Sequence, residues 1–106
     1  MPYLAHTILN VSDFEQSKQF YDQLMDPLGI PSRMVHDGDE VKIIAYQIPH
    51  APIYLRWAKD ETKQQFVRNV GLDHLCIGVE NKEMVDKVHQ QLSSSTDTII
   101  TIAPKH

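Results

Sequence analysis

Apolar and polar positions along the chain fall into two similar blocks. Leu4 to Val11 is apolar and β-branched, which predicts a strand. Ser12-Asp13-Phe14-Glu15 follows, with Glu15 three residues after Ser12 as in a capping box. The next segment brings Phe14, Ser17, Tyr21, Leu24 and Leu28 onto one face at helical spacing, and Pro27 and Gly29 mark its end. Three short β-rich runs come next: Ser32 to His36, Val41 to Ile48 and Ile53 to Ala58. Asp37-Gly38-Asp39 separates the first two as a hairpin, and Pro49-His50-Ala51-Pro52 separates the last two. Lys59 to Asn69 is polar and predicts a mobile connection with room for one helical turn.

Then the opening pattern returns. Leu72 to Val79 predicts a strand, Asn81 a helix cap, and Met84, Val85, Val88 and Leu92 the inward face of a second helix. Ser93-Ser94-Ser95 closes that helix, and Thr98 to Ile102 predicts one more strand. Displacing the chain by 68 positions, the separation of His6 from His74, aligns Leu4 with Leu72, Val11 with Val79, Glu15 with Glu83, Gln23 with Gln91 and Leu24 with Leu92 without a gap. Strand parity agrees. His6, Ile8 and Asn10 share one face of the first strand, and His74, Cys76 and Gly78 share the matching face of the second. The more apolar face of each suits a covering helix. The other carries the histidine, so both imidazoles are expected on one concave surface.

Composition narrows the function classes. The 106 residues allow one small domain with a single core. A net charge of −4 with scattered Lys and Arg leaves no basic footprint for nucleic acid. No apolar run reaches the roughly 20 residues that span a bilayer. The N-terminus lacks signal-peptide character, and the single Cys76 calls for no oxidising compartment, so a cytoplasmic protein is expected. Cys76 itself reads as a small buried hydrophobe. There is no nucleophile–base pair, phosphate-cradling loop or CxxC motif.

The run His6-x-x-x-x-Val11-x-Asp13, with Ser17, Phe20-Tyr21 and Leu28-Gly29, resembles the opening of the glyoxalase/bleomycin-resistance/dioxygenase (vicinal oxygen chelate) superfamily. Leu72-Asp73-His74-Leu75, with Met84-Val85-Asp86 and Leu92, resembles the opening of that family's second module. The resemblance implies an α+β fold of paired βαβββ modules curled around a shared cavity. Module one would cover about 1–60, a linker about 60–70, and a second module, incomplete as read here, about 71–106. Either a truncated product or a short form that completes its barrel with a second chain would account for that incompleteness.

In metal-dependent members of the family, a histidine at the start of each module and carboxylates from later strands hold a divalent ion. His6 and His74 occupy the two histidine positions, and such ligands suit Zn²⁺, Ni²⁺, Fe²⁺ or Mn²⁺ about equally. Tyr54 stands where the metal enzymes have Glu, and Arg56 two residues on shares its face, which favours an anionic ligand group there. Two readings follow. One is a divalent-metal-dependent lyase or dioxygenase acting on a small substrate with adjacent oxygens, its metal on His6 and His74. The other is a metal-free small-molecule-binding protein of the bleomycin-resistance type, its ligand on Tyr54 and Arg56. By analogy with the family the chain is expected to form a homodimer, by strand or module exchange, with neither nucleic acid nor membrane as partner.

Overall fold

A computed structural model of the chain describes residues 2–61, 70, 72, 74–95, 98, 100, 103 and 104. In chain order its elements are β1 (Thr7–Asn10), α1 (Phe14–Met25) with a 3-10 turn at Asp26–Leu28, β2 (Ser32–Asp37), β3 (Val41–Tyr46), β4 (Ile53–Ala58) and α2 (Lys82–Ser93). The four strands form one mixed sheet in the order β1-β4-β3-β2, with β1 parallel to β4 and the other pairs antiparallel. A βαβββ unit is therefore complete between Thr7 and Ala58, and the α+β class follows.

Local chemistry explains most boundaries. Asp13, in extended backbone, accepts the Gln16 N–H at 3.0 Å and starts α1. The cap is thus Asp13 rather than Ser12, since the chain stays bonded to the sheet as far as Val11, whose N–H reaches Arg56 at 2.9 Å. Gly29 closes the following turn with φ +68°, a left-handed conformation that costs little only without a Cβ. The hairpin between β2 and β3 is held by the Gly38 N–H on Val41 O and by the Lys42–Asp37 ion pair at 2.6 Å. That ammonium, by its hydrogen bond above all, holds the Asp37 carboxyl below its ordinary value. A register shift between Met34 and His36 bulges β2.

Strand parity then sets the core. Ile53 and Leu55 of β4 and Ile44 and Tyr46 of β3 face α1, where Phe14 and Met25 meet them. Leu9, Val11, Tyr21, Leu24, Leu28 and Trp57 pack around this cluster, as their spacing predicts. Each fully buried large side chain contributes about 1.5–3 kcal/mol. Met25, 1% exposed, belongs to the same stripe but is absent from the face read off the sequence. Tyr46 adds a polar tie: its hydroxyl donates to Asp22 Oδ1 at 2.9 Å and reaches Lys18 O at 3.3 Å. Burial, and then the Asp22 carboxylate, push that phenol far above its ordinary value.

The second block answers the repeat only in part. α2 begins and ends 68 positions after α1, and its cap Asn81 accepts the Met84 N–H at 3.0 Å, the counterpart of Asp13 and Gln16. Of the strand expected over Leu72 to Val79, residues 74–79 carry no ladder among the described residues. A strand exists only against a partner to which its backbone is bonded. Cys76 is correspondingly exposed rather than buried. Ile77 still reaches the core cluster and α2 packs against α1, with cavities of about 140 and 320 Å³, lined by Leu28, Ile77, Val79 and residues of α2, left between the two blocks. The polar connection after Glu61 and most of the strand expected at Thr98 to Ile102 lie outside the described residues.

Candidate functional site

The sheet has a helix-covered face and an open one, and the open one carries the chemistry. Ladder register decides which side chains share it. Ile8 lies opposite Tyr54, which lies opposite Ala45; Asn10 lies opposite Arg56, which lies opposite Ile43. Direct cross-strand partners project from the same side of a sheet, so Ile8, Tyr54, Asn10 and Arg56 form one patch. β4 brings Tyr54 and Arg56 two residues apart, while Leu55 between them points into the core.

His6 joins this patch from the residue just before β1. The Thr7 N–H bonds to Pro52 O at 3.0 Å and anchors the strand start. The His6 imidazole then stacks on the Tyr54 ring, with centroids 5.3 Å apart and planes 21° from parallel. His6 is exposed and Tyr54 half-buried, so one face of the imidazole is covered and its rim is open.

Arg56 is held from two sides. Its Nη1 donates to Asn10 Oδ1 at 3.2 Å and to the Glu61 carboxylate. Glu61 arrives there because the chain turns directly after β4: the Lys59 N–H bonds to Glu40 O at 2.9 Å and the Glu61 N–H reaches Ala58 O at 3.4 Å. Neither Asn10 nor Glu61 stands out as a site residue in the sequence. The parity of β1 puts Asn10 on the histidine face, which is a usable signal. No local pattern marks Glu61, whose position depends on the turn.

Of the four candidate residues, the fold brings His6, Tyr54 and Arg56 onto one surface. His74 is exposed in the irregular 74–79 segment. Among the described residues no three His, Cys, Asp or Glu side chains converge to hold a metal ion. The donor set beside His6 is a phenol and a guanidinium, neither of which suits a divalent cation at neutral pH. The residues described therefore do not fit the metal centre implied by the family resemblance. Cavities of about 320 and 220 Å³ sit elsewhere, one lined by Leu28, Ile30, Ile48 and Ile77, the other by α1 residues with Ser95 and Thr98.

A βαβββ unit, a histidine at the start of its first strand and a second block repeating its opening together specify a lineage. The model of the Glyoxalase/Bleomycin resistance protein/Dioxygenase superfamily matches residues 3–106. The chain belongs to that superfamily. Neither a curated protein nor a solved structure matches it. For this superfamily member the match covers both blocks, including the half whose opening segment carries no ladder among the described residues. No helix among its described residues is long and apolar enough to cross a membrane.

Proposed function

We propose that this superfamily member is a small-molecule-binding protein of the bleomycin-resistance type, which holds its ligand on the open sheet face through His6, Tyr54 and Arg56. The observation that carries the reading is the composition of that face: a stacked imidazole–phenol pair beside an anchored guanidinium. Such a surface recognises flat or anionic groups and offers no nucleophile–base pair for chemistry. Small-molecule sites bury most of their ligand, so an open face calls for a cover. A second copy of the chain serves as that cover: among the described residues β1 is an edge strand, it carries exposed Ile8, and exposed Tyr3 and Leu4 precede it. The test is a ligand screen by NMR on chelator-treated protein, alongside sedimentation to count copies. Ligands that shift Tyr54 and His6 resonances without metal support the reading, and a panel that leaves both unmoved refutes it.

One observation favours a second reading, a divalent-metal-dependent lyase or dioxygenase. His6 and His74 occupy equivalent positions in a repeat whose helix bounds and caps coincide, and both are exposed. Elemental analysis after reconstitution with Ni²⁺, Zn²⁺, Fe²⁺ and Mn²⁺ decides it. Stoichiometric metal that disappears in the His6→Ala/His74→Ala double variant supports this reading, and no bound metal rules it out.

A further inference from the structure

We propose that Arg56 is an anion clamp set in position by Asn10 and Glu61, and that the open face takes a flat aromatic carboxylate. The acid group would meet the guanidinium while the ring lies against the His6–Tyr54 stack. This rests on the binding reading above and names its ligand class.

The geometry starts from the guanidinium, whose five N–H donors lie in one plane. Nη1 carries two of them, and Asn10 Oδ1 and the Glu61 carboxylate account for both. Asn10 sits directly opposite Arg56 in the β1–β4 ladder, so the rigid sheet fixes where the head group lies. None of the described residues bonds to Nε or Nη2. The Arg56 side chain is one-third exposed, which leaves the remaining edge within reach of solvent. Two parallel N–H groups on that edge match the two oxygens of a carboxylate, and a guanidinium already held loses little freedom on binding.

Spacing supplies the aromatic part. Residues two apart on a strand stand roughly 7 Å apart on the same face. A ring bonded directly to a carboxyl group spans that separation, with the acid over Arg56 and the ring beside Tyr54. His6 extends the aromatic surface on the far side of Tyr54 from the clamp.

Glu61 makes the idea specific. Its carboxylate orients Arg56 and at the same time cancels its charge, which opposes any incoming anion. Glu61→Gln keeps an oxygen acceptor for Nη1 and removes the opposing charge. Anion affinity should therefore rise when Glu61 loses its charge, whereas a purely structural ion pair would give no gain.

The experiment is an NMR titration of the full chain with sodium benzoate, sodium acetate and benzyl alcohol, following His6, Tyr54 and Arg56 signals. On an uncovered face, benzoate binding is expected to be weak, roughly millimolar. Benzoate should bind about 10-fold tighter than acetate or benzyl alcohol, and more weakly as salt rises. Arg56→Lys should weaken benzoate by about 5-fold or more, because an ammonium cannot make the fork. Glu61→Gln should tighten it by about 3- to 10-fold. Unfolding of Arg56→Lys, seen by circular dichroism, would leave Glu61→Gln and the acetate comparison as the deciding arms. The proposal is overturned by equal binding of benzyl alcohol and benzoate, by benzoate affinity unchanged in folded Arg56→Lys, or by no gain in Glu61→Gln. A neutral ligand that shifts His6 and Tyr54 while benzoate does not would overturn the clamp and leave the binding reading standing.

Discussion

β1 and the segment 74–79 have closely similar patterns and different fates. His6, Leu9 and Val11 match His74, Ile77 and Val79 at the common displacement, and inward and outward positions agree from Ile8 to Val11 and from Cys76 to Val79. Leu9 and Ile77 even reach the same core cluster. Yet β1 is a strand because β4 lies alongside it, with the Thr7 and Val11 N–H groups bonded to Pro52 and Arg56. The later segment has a suitable pattern and no ladder among the described residues. Alternation makes a segment competent to be a strand; a neighbour makes it one. The helices differ in the same direction. Tyr46 ties α1 to the sheet through Asp22, while the counterpart of Asp22 in α2 is the exposed Gln90.

That contrast can be broken or sharpened by experiment. The largest effect should come from Leu55→Ala, which removes the completely buried residue against which Leu9 is registered. A loss of about 2–5 kcal/mol is expected in urea unfolding. The corresponding truncation of half-buried Ile77 should cost well under half as much, and equal losses would mean the two blocks are equally well packed.

Tyr46→Phe should cost about 1.5–3 kcal/mol by leaving Asp22 without its phenol. It should also change the alkaline limb of stability. The folded chain holds the Tyr46 proton above the ordinary value of 10.0, whereas the unfolded chain releases it near there. This contribution is complete below about pH 10 and is lost as pH rises beyond it. The Phe variant should show a flatter decline of melting temperature above pH 10. An unchanged slope would mean that the phenol is not the source.

Proline tests pairing itself. Thr7→Pro deletes the N–H that bonds to Pro52 and should cost about 1–3 kcal/mol. Leu75→Pro, at the matching and exposed position, should fall within about 0.5 kcal/mol of the parent. Amide exchange should agree, with Thr7 and Val11 protected and Leu75 and Val79 exchanging freely. Protection at Leu75 would reveal a partner strand for this segment, such as one from a second copy.

The smallest effects should be the most symmetric. Asp13→Ala and Asn81→Ala each remove a cap bond of 3.0 Å and should each cost about 1 kcal/mol. A cost confined to Asp13 would show that α2 adds little to global stability.

How far each feature can be read from the chain depends on the range of the interaction behind it. Turns, the Asn81 cap and the helix stripe at Phe14, Tyr21 and Leu24 are legible, because each involves residues within a turn or two of one another. The cap of α1 falls one residue later than the Ser12 capping box, because β1 keeps the chain bonded to the sheet as far as Val11. Met25 escapes the stripe because its burial depends on how α1 tilts onto β3 and β4. Of the candidate site, His6 is legible from the repeat, Tyr54 from the family resemblance, and Arg56 from sharing the Tyr54 face two residues on. Parity places Asn10 on the histidine face but not its bond to Arg56, and nothing local marks Glu61, because those bonds cross from β4 to β1 and to the turn after Ala58.

By itself, then, the sequence determined the periodicities: which residues alternate, which recur at helical spacing, and that the opening of the chain is repeated. These are local consequences of side-chain chemistry and backbone geometry. Only the tertiary structure decided that β1 pairs with β4, that 74–79 forms no ladder among the described residues, and that Arg56 answers to Asn10 and Glu61. Hydrogen-bond ladders and ion pairs are bonds between distant parts of the chain. A pattern can permit such a bond, but only a partner brought within reach can make it.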